Sequence, residues 1–254
     1  TLKIHHVELS EELEYIYLVG ISDLHIGDPL FDTKYFLTYR RWIESTPNCY
    51  VILNGDLLNT AIKNSVSDVY GETLTPQKQL DVATKLLLPI KDRILTANDG
   101  NHERRIYKEV GLNLSAILAD KLGCHYSGDE AYLKITLGKG SNGKRIAYTV
   151  YATHGWSSAR TTGSKMNTLE SLGNIVLANI YFISHTHTPL VHKRPFFIPD
   201  IYNNNLIEVE QNFINTNAFM FRGGYAAAKG YPHSCKTVPR LLLGGREKKI
   251  EVTF

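Results

Sequence analysis

Five short polar clusters in this chain contain side chains of the types that bind divalent metal ions. They are Asp23-Leu24-His25, Gly55-Asp56, Gly100-Asn101-His102-Glu103, His154-Gly155 and His185-Thr186-His187. Carboxylate and amide oxygens combined with imidazole nitrogens suit a pair of divalent transition ions. The three cysteines are too widely separated to form the thiolate cluster of a structural zinc or iron–sulfur site.

Each of these clusters follows an apolar, strand-like run. The runs are Tyr15–Ser22, Tyr50–Leu53, Arg93–Ala97, Arg145–Ala152 and Ile180–Ser184. Ligands of open α/β sheets gather beyond the carboxyl ends of the strands. The sequence therefore predicts that the five clusters converge on one crevice.

Helical spacing of apolar residues separates several of these runs. It predicts helices at Tyr35–Ile43, from Thr75 as cap and Pro76 through Leu87, at Leu112–Leu122 and near Thr168–Leu177. Further strands are predicted at Ala131–Leu137, Glu208–Asn215 and Ile250–Phe254, with an exposed polar loop at Pro199–Asn205. We find no repeat or long linker, so this α/β pattern predicts a single domain over residues 1–254.

Two cations held about 3.5 to 4 Å apart need a bridging carboxylate and terminal ligands on either side. We predict that Asp56 is the bridge. The predicted ligands of one ion are Asp23, His25 and His187, and those of the other are Asn101, His154 and His185. Residues two apart on a regular strand point the same way, so the chain must turn at His185 if this histidine pair serves both ions.

Such a pair of ions predicts a hydrolytic reaction. Water bridging two dications is acidic enough to be hydroxide near neutral pH, and it can attack phosphorus in line. His102 follows the predicted ligand Asn101 and is our candidate general acid for the departing oxygen, with neighbouring acids helping to hold it protonated. Glu103 is interpreted as a helix-start residue rather than a ligand.

The order Asp-x-His, Gly-Asp, Gly-Asn-His-Glu, His-Gly and His-x-His, from Asp23 to His187, resembles the calcineurin-like metallophosphoesterases, which include purple acid phosphatases and Mre11-type nucleases. The resemblance implies a four-layer α-β-β-α sandwich of two mixed β-sheets. It also implies two divalent metal ions, with manganese expected first and iron or zinc as alternatives. Two departures remove no ligand: Ser184 replaces a glycine usual in relatives, and Asp99 precedes the Gly-Asn-His segment.

Four basic residues near the clusters predict a cationic rim for substrate phosphate. They are Arg104, Arg105, Arg160 and Lys165. Arginine clamps on phosphate oxygens are the functional interpretation, and solvated surface charges are an equally weighted alternative for each residue. The formal net charge of +3 permits phosphate-bearing substrates but is far from that of a dedicated nucleic-acid binder.

These observations predict a two-metal phosphoesterase, with phosphodiesters, and nucleic acid or nucleotides among them, slightly favoured over monoesters. The alternatives are a phosphomonoesterase and a non-catalytic binding subunit of the same fold. The three cysteines are widely separated and odd in number, which favours a cytoplasmic protein, and no apolar run approaches the ~20 residues that span a bilayer. Compact relatives in bacteria and their viruses support the cytoplasmic prediction by analogy.

Overall fold

The computed structural model describes residues 3–63, 65, 69–224, 227 and 235–254. The strands are β1 (Ile4–Glu8), β2 (Tyr15–Ile21), β3 (Cys49–Asn54), β4 (Ile94–Asn98), β5 (His125–Gly128), β6 (Glu130–Leu137), β7 (Ile146–Thr153), β8 (Ile180–Ile183), β9 (Leu190–Asp200), β10 (Asn205–Asn215), β11 (Arg240–Gly244) and β12 (Ile250–Thr253). The α-helices are α1 (Thr33–Ser45), α2 (Pro76–Leu87), α3 (Glu103–Val110), α4 (Leu114–Leu122) and α5 (Thr162–Ser171). Short 3-10 turns lie at Val69–Gly71, Leu88–Arg93 and Leu172–Asn174.

The strands form two mixed six-stranded sheets. One sheet has the order β1-β6-β7-β8-β10-β9, and the other has the order β12-β11-β2-β3-β4-β5. Strands β2 to β5 are parallel neighbours, whereas β11 runs antiparallel to β2. The carboxyl ends of β2, β3 and β4 therefore meet at one edge of their sheet.

Strand β2 shows why its apolar run is continuous. Side chains alternate between the two faces of a strand. Ile16 and Leu18 pack into the core between the two sheets, while Val19 and Ile21 pack on the other face against the helices. Both faces are buried, as expected for a strand without polar alternation.

Helices cover both outer faces of the paired sheets. Residues of α1, α2 and α4 form one apolar cluster with the outer face of the sheet that contains β2. Leu169 of α5 and the following Leu172 pack with Tyr181 and Phe213 on the outer face of the other sheet. The layers are therefore α-β-β-α, which confirms the predicted sandwich of two mixed sheets.

The first helix follows its predicted pattern. Asp32 caps α1 by accepting a hydrogen bond from the backbone N–H of Tyr35 at 3.0 Å, and the buried face consists of Phe36, Tyr39 and Ile43. The spacing of three and four residues places these side chains on one stripe of the helix. The predicted start of α2 is also correct, although Thr75 makes no side-chain capping bond.

The predicted helix near Thr168–Leu177 is displaced in the structure. Helix α5 begins at Thr162 and ends at Ser171. Its start is set by the hydroxyl of Thr161, which accepts a hydrogen bond from the backbone N–H of Ser164. A threonine cap satisfies a backbone donor that the helix itself leaves unpaired.

The predicted polar loop at Pro199–Asn205 is shorter in the structure. Strand β9 extends to Asp200 and β10 begins at Asn205, so only residues 201–204 form the turn of this hairpin. Among the described residues, no helix is long and apolar enough to cross a membrane.

Candidate metal centre

The predicted ligands lie on loops with a strained backbone. Positive φ angles occur at Asp23 (51°), His25 (47°), Asp56 (50°), His185 (68°) and His187 (50°). Non-glycine residues rarely adopt this left-handed region, and each such residue costs on the order of 1–2 kcal/mol. The chain therefore turns abruptly after β2, β3 and β8, and the predicted turn at His185 is present.

One group of donors consists of Asp23, His25 and His187. Nε2 of His187 lies 3.1 Å from Oδ1 of Asp23, and Nε2 of His25 lies 3.2 Å from Nε2 of His187. Asp23 is buried, which opposes its ionisation, yet His187 and His154 lower the pKa of Asp23 below its ordinary value. These three side chains converge although 164 positions separate the first from the last.

A second group consists of Asp56, His154 and His185. Nδ1 of His154 donates a hydrogen bond to the backbone carbonyl of Asn54 at 2.7 Å, so the other ring nitrogen, Nε2, faces Oδ2 of Asp56 at 3.0 Å. Burial alone would lower the pKa of His154, but the Asp56 carboxylate outweighs burial and raises this pKa to about 10. The environment of His154 therefore favours a positive charge at Nε2.

Asp56 connects the two groups. Its carboxylate also belongs to a cluster with His25 and His102, so it faces donors assigned to both predicted ions. Burial opposes ionisation of Asp56, but His154 and His102 hold its pKa well below the ordinary value. This central position is the one that a bridging carboxylate requires.

The donor set fits divalent cations. Oδ1 of Asp23 and Nε2 of His154 are buried polar atoms without a hydrogen-bond partner, although each lies close to another candidate ligand. An unsatisfied buried polar atom costs about 1–3 kcal/mol. A cation between the facing atoms would satisfy both, since lone pairs of imidazole and carboxylate are the ligands that such ions take. The individual ligand roles stay predictions.

His102 differs from its predicted protonation state. Its Nδ1 donates to the carbonyl of Asn59 at 2.7 Å, and Arg105 donates to its Nε2 at 3.0 Å. A guanidinium only donates, so Nε2 must be an acceptor and the ring neutral. Burial lowers the pKa of His102 to about 4 despite the nearby Asp56. The expectation that neighbouring acids keep His102 protonated is wrong for this arrangement.

Glu103 contributes more than a helix start. Its buried carboxylate accepts hydrogen bonds from the backbone N–H groups of Asp56 (3.1 Å), Leu58 (2.8 Å) and Gly100 (3.2 Å). Burial and the charge of Asp56 raise its pKa to about 7. Glu103 therefore holds the Asp56 loop against the start of α3, a role that its position beside His102 in the sequence does not reveal.

The same loops approach so closely that two glycines are required. A Cβ atom at Gly100 would lie 2.1 Å from the backbone nitrogen of Asp56, and one at Gly55 would lie 2.6 Å from the Cα of Gly100. Gly55 also has a φ of 79°. The motifs Gly55-Asp56 and Gly100-Asn101 therefore depend on each other through backbone contact.

Ser184, where relatives usually have glycine, takes part in a buried hydroxyl and amide network. Its Oγ accepts hydrogen bonds from Nδ2 of Asn54 and from Oγ1 of Thr216, each at 2.7 Å. Thr216 is also paired with Ser22, whose hydroxyl donates to Oδ2 of Asp23 at 2.6 Å. This departure from the resemblance thus links the loops that carry Asp23 and His185.

The predicted cationic rim is only partly present. Arg104 is half-exposed and forms an ion pair with Asp129, Arg105 reaches the site through His102, and Arg160 is exposed. Lys165 is 3% exposed and does not belong to an open rim.

The ammonium of Lys165 instead supports the last histidine pair. Its Nζ donates to the carbonyl of Thr186 at 3.2 Å and to the hydroxyl of Thr188. Thr186 separates His185 from His187, so the lysine anchors the segment that supplies both rings. A basic residue predicted to bind substrate therefore holds two predicted ligands in position.

Asn101 is the predicted ligand with the most open position. It lies exposed in the turn between Gly100 and His102, and the backbone N–H of His102 donates to Oδ1 of Asp56 at 2.9 Å. The turn therefore passes beside the predicted bridge. Ligation by the Asn101 amide stays a prediction.

Comparisons by sequence match neither a family model nor a curated protein. Solved structures with a similar fold include the calcineurin-like phosphoesterase YfkN from Bacillus subtilis, which is 11% identical with a TM-score of 0.44 over 94% of this chain and 88% of that chain. A putative 5'-nucleotidase from Staphylococcus aureus is 12% identical with a TM-score of 0.45 over 94% of this chain and 53% of that chain. A Vps29 single mutant from Entamoeba histolytica is 13% identical with a TM-score of 0.44 over 93% of this chain and 90% of that chain.

YfkN carries the name of the family that the order of the motifs resembles. All three likenesses have TM-scores below 0.5. The function proposed below therefore rests on the side chains of this chain.

Proposed function

We propose that this protein is a phosphoesterase that uses two divalent metal ions. The observation that carries the proposal is the pair of donor groups around Asp56, with facing carboxylate and imidazole atoms about 3 Å apart in a buried crevice. Buried acceptor atoms this close together repel each other, so the arrangement is stable only when protons or cations lie between them. Mixed oxygen and nitrogen donors select metal ions such as manganese, iron or zinc.

Asp23, His25 and His187 would hold one ion, and Asp56, His154 and His185 would hold the other with Asn101. Two bound ions would supply an acidified water as nucleophile and neutralise charge that develops on phosphoryl oxygens. Asp56 would orient both ions because it faces both groups of donors. We expect manganese to be preferred.

His102 is the residue of this chain best placed to handle a proton. Its Nε2 lies 3.8 Å from Oδ2 of Asp56 and its ring contacts that of His25 edge-on, with centroids 4.4 Å apart. The guanidinium of Arg105 donates a hydrogen bond to Nε2 of His102, so proton transfer at this nitrogen requires the guanidinium to shift. A shifted guanidinium can then contact a phosphoryl oxygen of the substrate.

Phosphodiesters, including nucleic acid or nucleotides, are the substrate class we favour over monoesters. The support is the net charge of +3 and the position of Arg105 beside the site. Lys165 does not support this preference, because its side chain is buried and does not face a substrate.

The test is to incubate manganese-loaded protein with a chromogenic diester, a chromogenic monoester and single-stranded DNA. We expect hydrolysis of the diester and its loss in an Asp56→Asn variant. Hydrolysis of the monoester alone would overturn the substrate preference. If the protein binds no transition metal by elemental analysis and added manganese gives no activity, a binding subunit becomes the better description.

A further inference from the structure

The hairpin of β9 and β10 extends well beyond the sheet to which it belongs. The two strands pair with each other from Leu190 to Asn215, but β10 pairs with β8 only over Asn212–Asn215. Residues 195–210 therefore form a two-stranded projection, which we call the arm. An isolated pair of strands is at best marginally stable in water, so a further surface packed on the arm would stabilise it.

One face of the arm is apolar without interruption, whereas the opposite face mixes the exposed Phe197 and Leu206 with acidic residues. Phe196 lies opposite Val209, and Ile198 lies opposite Ile207, so these two cross-strand pairs share a face. Phe196 is 37% and Ile207 is 48% exposed. The described residues leave this face partly uncovered.

The turn at the end of the arm adds apolar surface. Ile201 is 72% and Tyr202 is 91% exposed. Together with Phe196 and Ile207 they present on the order of 400 Å² of apolar surface, as large as the main apolar patch of a typical monomer. A standard interface buries ~800 Å² per partner, about half of it apolar, so the arm matches the apolar part of one such interface.

The free edge of the arm disfavours strand addition. Strand β9 is the last strand of its sheet, and it contains Pro195 and Pro199. Proline lacks the N–H that a neighbouring strand would need, and prolines on edge strands block such pairing. A partner is therefore expected on the apolar face and not along the edge.

Charge at the two ends of the apolar face indicates which partner fits. Arg194 lies at its base and Asp200 at its end, both on the side of Phe196 because they are separated from it by even numbers of residues. A second copy related by a two-fold axis, with antiparallel arms, brings each Arg194 to the Asp200 of the other copy. Glu208 and Glu210 on the opposite face disfavour nucleic acid as the partner.

We infer that the apolar face of the arm is the contact of a homodimer, in which two arms pack antiparallel about a two-fold axis. The interface consists of Phe196, Ile198, Ile207 and Val209 together with Ile201 and Tyr202 of the turn, closed at each end by Arg194 and Asp200 of different copies. The guanidinium of Arg194 already donates through Nε and Nη2 to Gln211, and its five N–H groups allow a further carboxylate contact. The metal centre of each copy does not depend on this contact.

The test is the mass of the protein in solution, measured by sedimentation velocity and light scattering over a wide concentration range. The wild type is expected to be a dimer, and a Phe196→Asp, Ile207→Asp double variant a monomer with unchanged circular dichroism and metal-dependent activity. Ile4→Asp is the matched control, because Ile4 is 66% exposed on β1 at the opposite edge of the same sheet. This control is expected to stay dimeric.

Charge reversal tests the antiparallel arrangement. Arg194→Glu and Asp200→Lys each place like charges together in their own homodimer, so each variant alone is expected to be mainly monomeric. A mixture of the two variants restores both pairs and is expected to dimerise like the wild type. Asp200 also accepts hydrogen bonds from the backbone N–H groups of Tyr202 and Asn203, so the mixing experiment uses Asp200→Lys protein whose circular dichroism and thermal unfolding match those of the wild type.

Three results would overturn the inference. These are a wild type that stays monomeric at every concentration, a dimer that survives the double substitution in the arm, and a mixture of charge variants that does not associate. A monomeric wild type that co-sediments with anionic lipid vesicles would assign the arm to a membrane surface instead.

Discussion

Removal of the Lys165 ammonium should weaken metal binding although this residue ligates no ion. The change is Lys165→Met, which keeps the length of the side chain and removes both hydrogen bonds to the segment of Thr186 and Thr188. The flanking His185 and His187 have φ angles of 68° and 50°. Left-handed residues cost about 1–2 kcal/mol each, so this segment holds about 2–4 kcal/mol of strain.

The bonds of Lys165 are of the same size as that strain. A hydrogen bond to a charged group contributes about 1.5–3 kcal/mol. The hydroxyl of Thr188 also donates to the carbonyl of Thr186 at 3.1 Å, so the segment keeps one anchor after the substitution. We therefore expect a partial effect, a loss of about 10- to 100-fold in metal affinity, as is usual when a residue that supports a ligand is removed.

The assay is a calorimetric titration of metal-stripped protein with Mn²⁺, together with thermal unfolding of the same samples. Lys121→Met is the matched control, because Lys121 is exposed on α4 and its removal should leave affinity unchanged. A folded Lys165→Met protein that binds Mn²⁺ as tightly as the wild type would refute the view that this lysine positions the histidine pair.

His102→Ala should keep both ions, measured by elemental analysis, while turnover falls by ~100-fold or more, as expected for loss of the residue that transfers a proton at Nε2 once Arg105 has shifted; loss of metal would contradict that role. In metal-stripped protein, neutral His102 stabilises the fold above its unfolded pKa near 6.5. Because burial lowers its folded pKa to about 4, up to about 3 kcal/mol is lost as the pH falls from 6.5 through 4, and denaturant unfolding of His102→Ala should lack this loss. Asp56→Asn should weaken binding of both ions in a calorimetric titration, and two ions held at wild-type affinity would contradict a bridge. Gly100→Ala should lower the melting temperature and metal affinity because its Cβ would lie 2.1 Å from the Asp56 nitrogen. Gly163→Ala in α5, with open space around it, should leave metal affinity unchanged and raise the melting temperature slightly; equal behaviour of the two would contradict the close approach.

The layered fold could be predicted from the sequence because its signals are local. The continuous apolar run of β2 required burial on both faces, and the spacing of Phe36, Tyr39 and Ile43 required a helix with one buried stripe. The start of α5 was predicted wrongly, and the reason is also local. Its cap, Thr161, lies in a loop of small polar residues where several positions could have started the helix.

The types and order of the candidate ligands are also properties of the sequence alone. Carboxylates, an amide and imidazoles at the ends of strands predicted a metal site, and the structure brings together Asp23 and His187, whose Oδ1 and Nε2 lie 3.1 Å apart. Parallel strands place their carboxyl ends at one edge of a sheet, so the sequence order of the strands already implied a common crevice.

Only the tertiary structure decided what the neighbouring charged residues do. Lys165, predicted on a rim, is buried beside Thr186, and Glu103 holds the Asp56 loop through the backbone N–H groups of Asp56 and Leu58. His102 is neutral because burial lowers its pKa and Arg105 donates a hydrogen bond to its Nε2. The partner and the burial of a charged side chain depend on segments far away in the chain, and no local pattern records them, whereas the ability of a side chain to ligate a metal is a property of its own atoms.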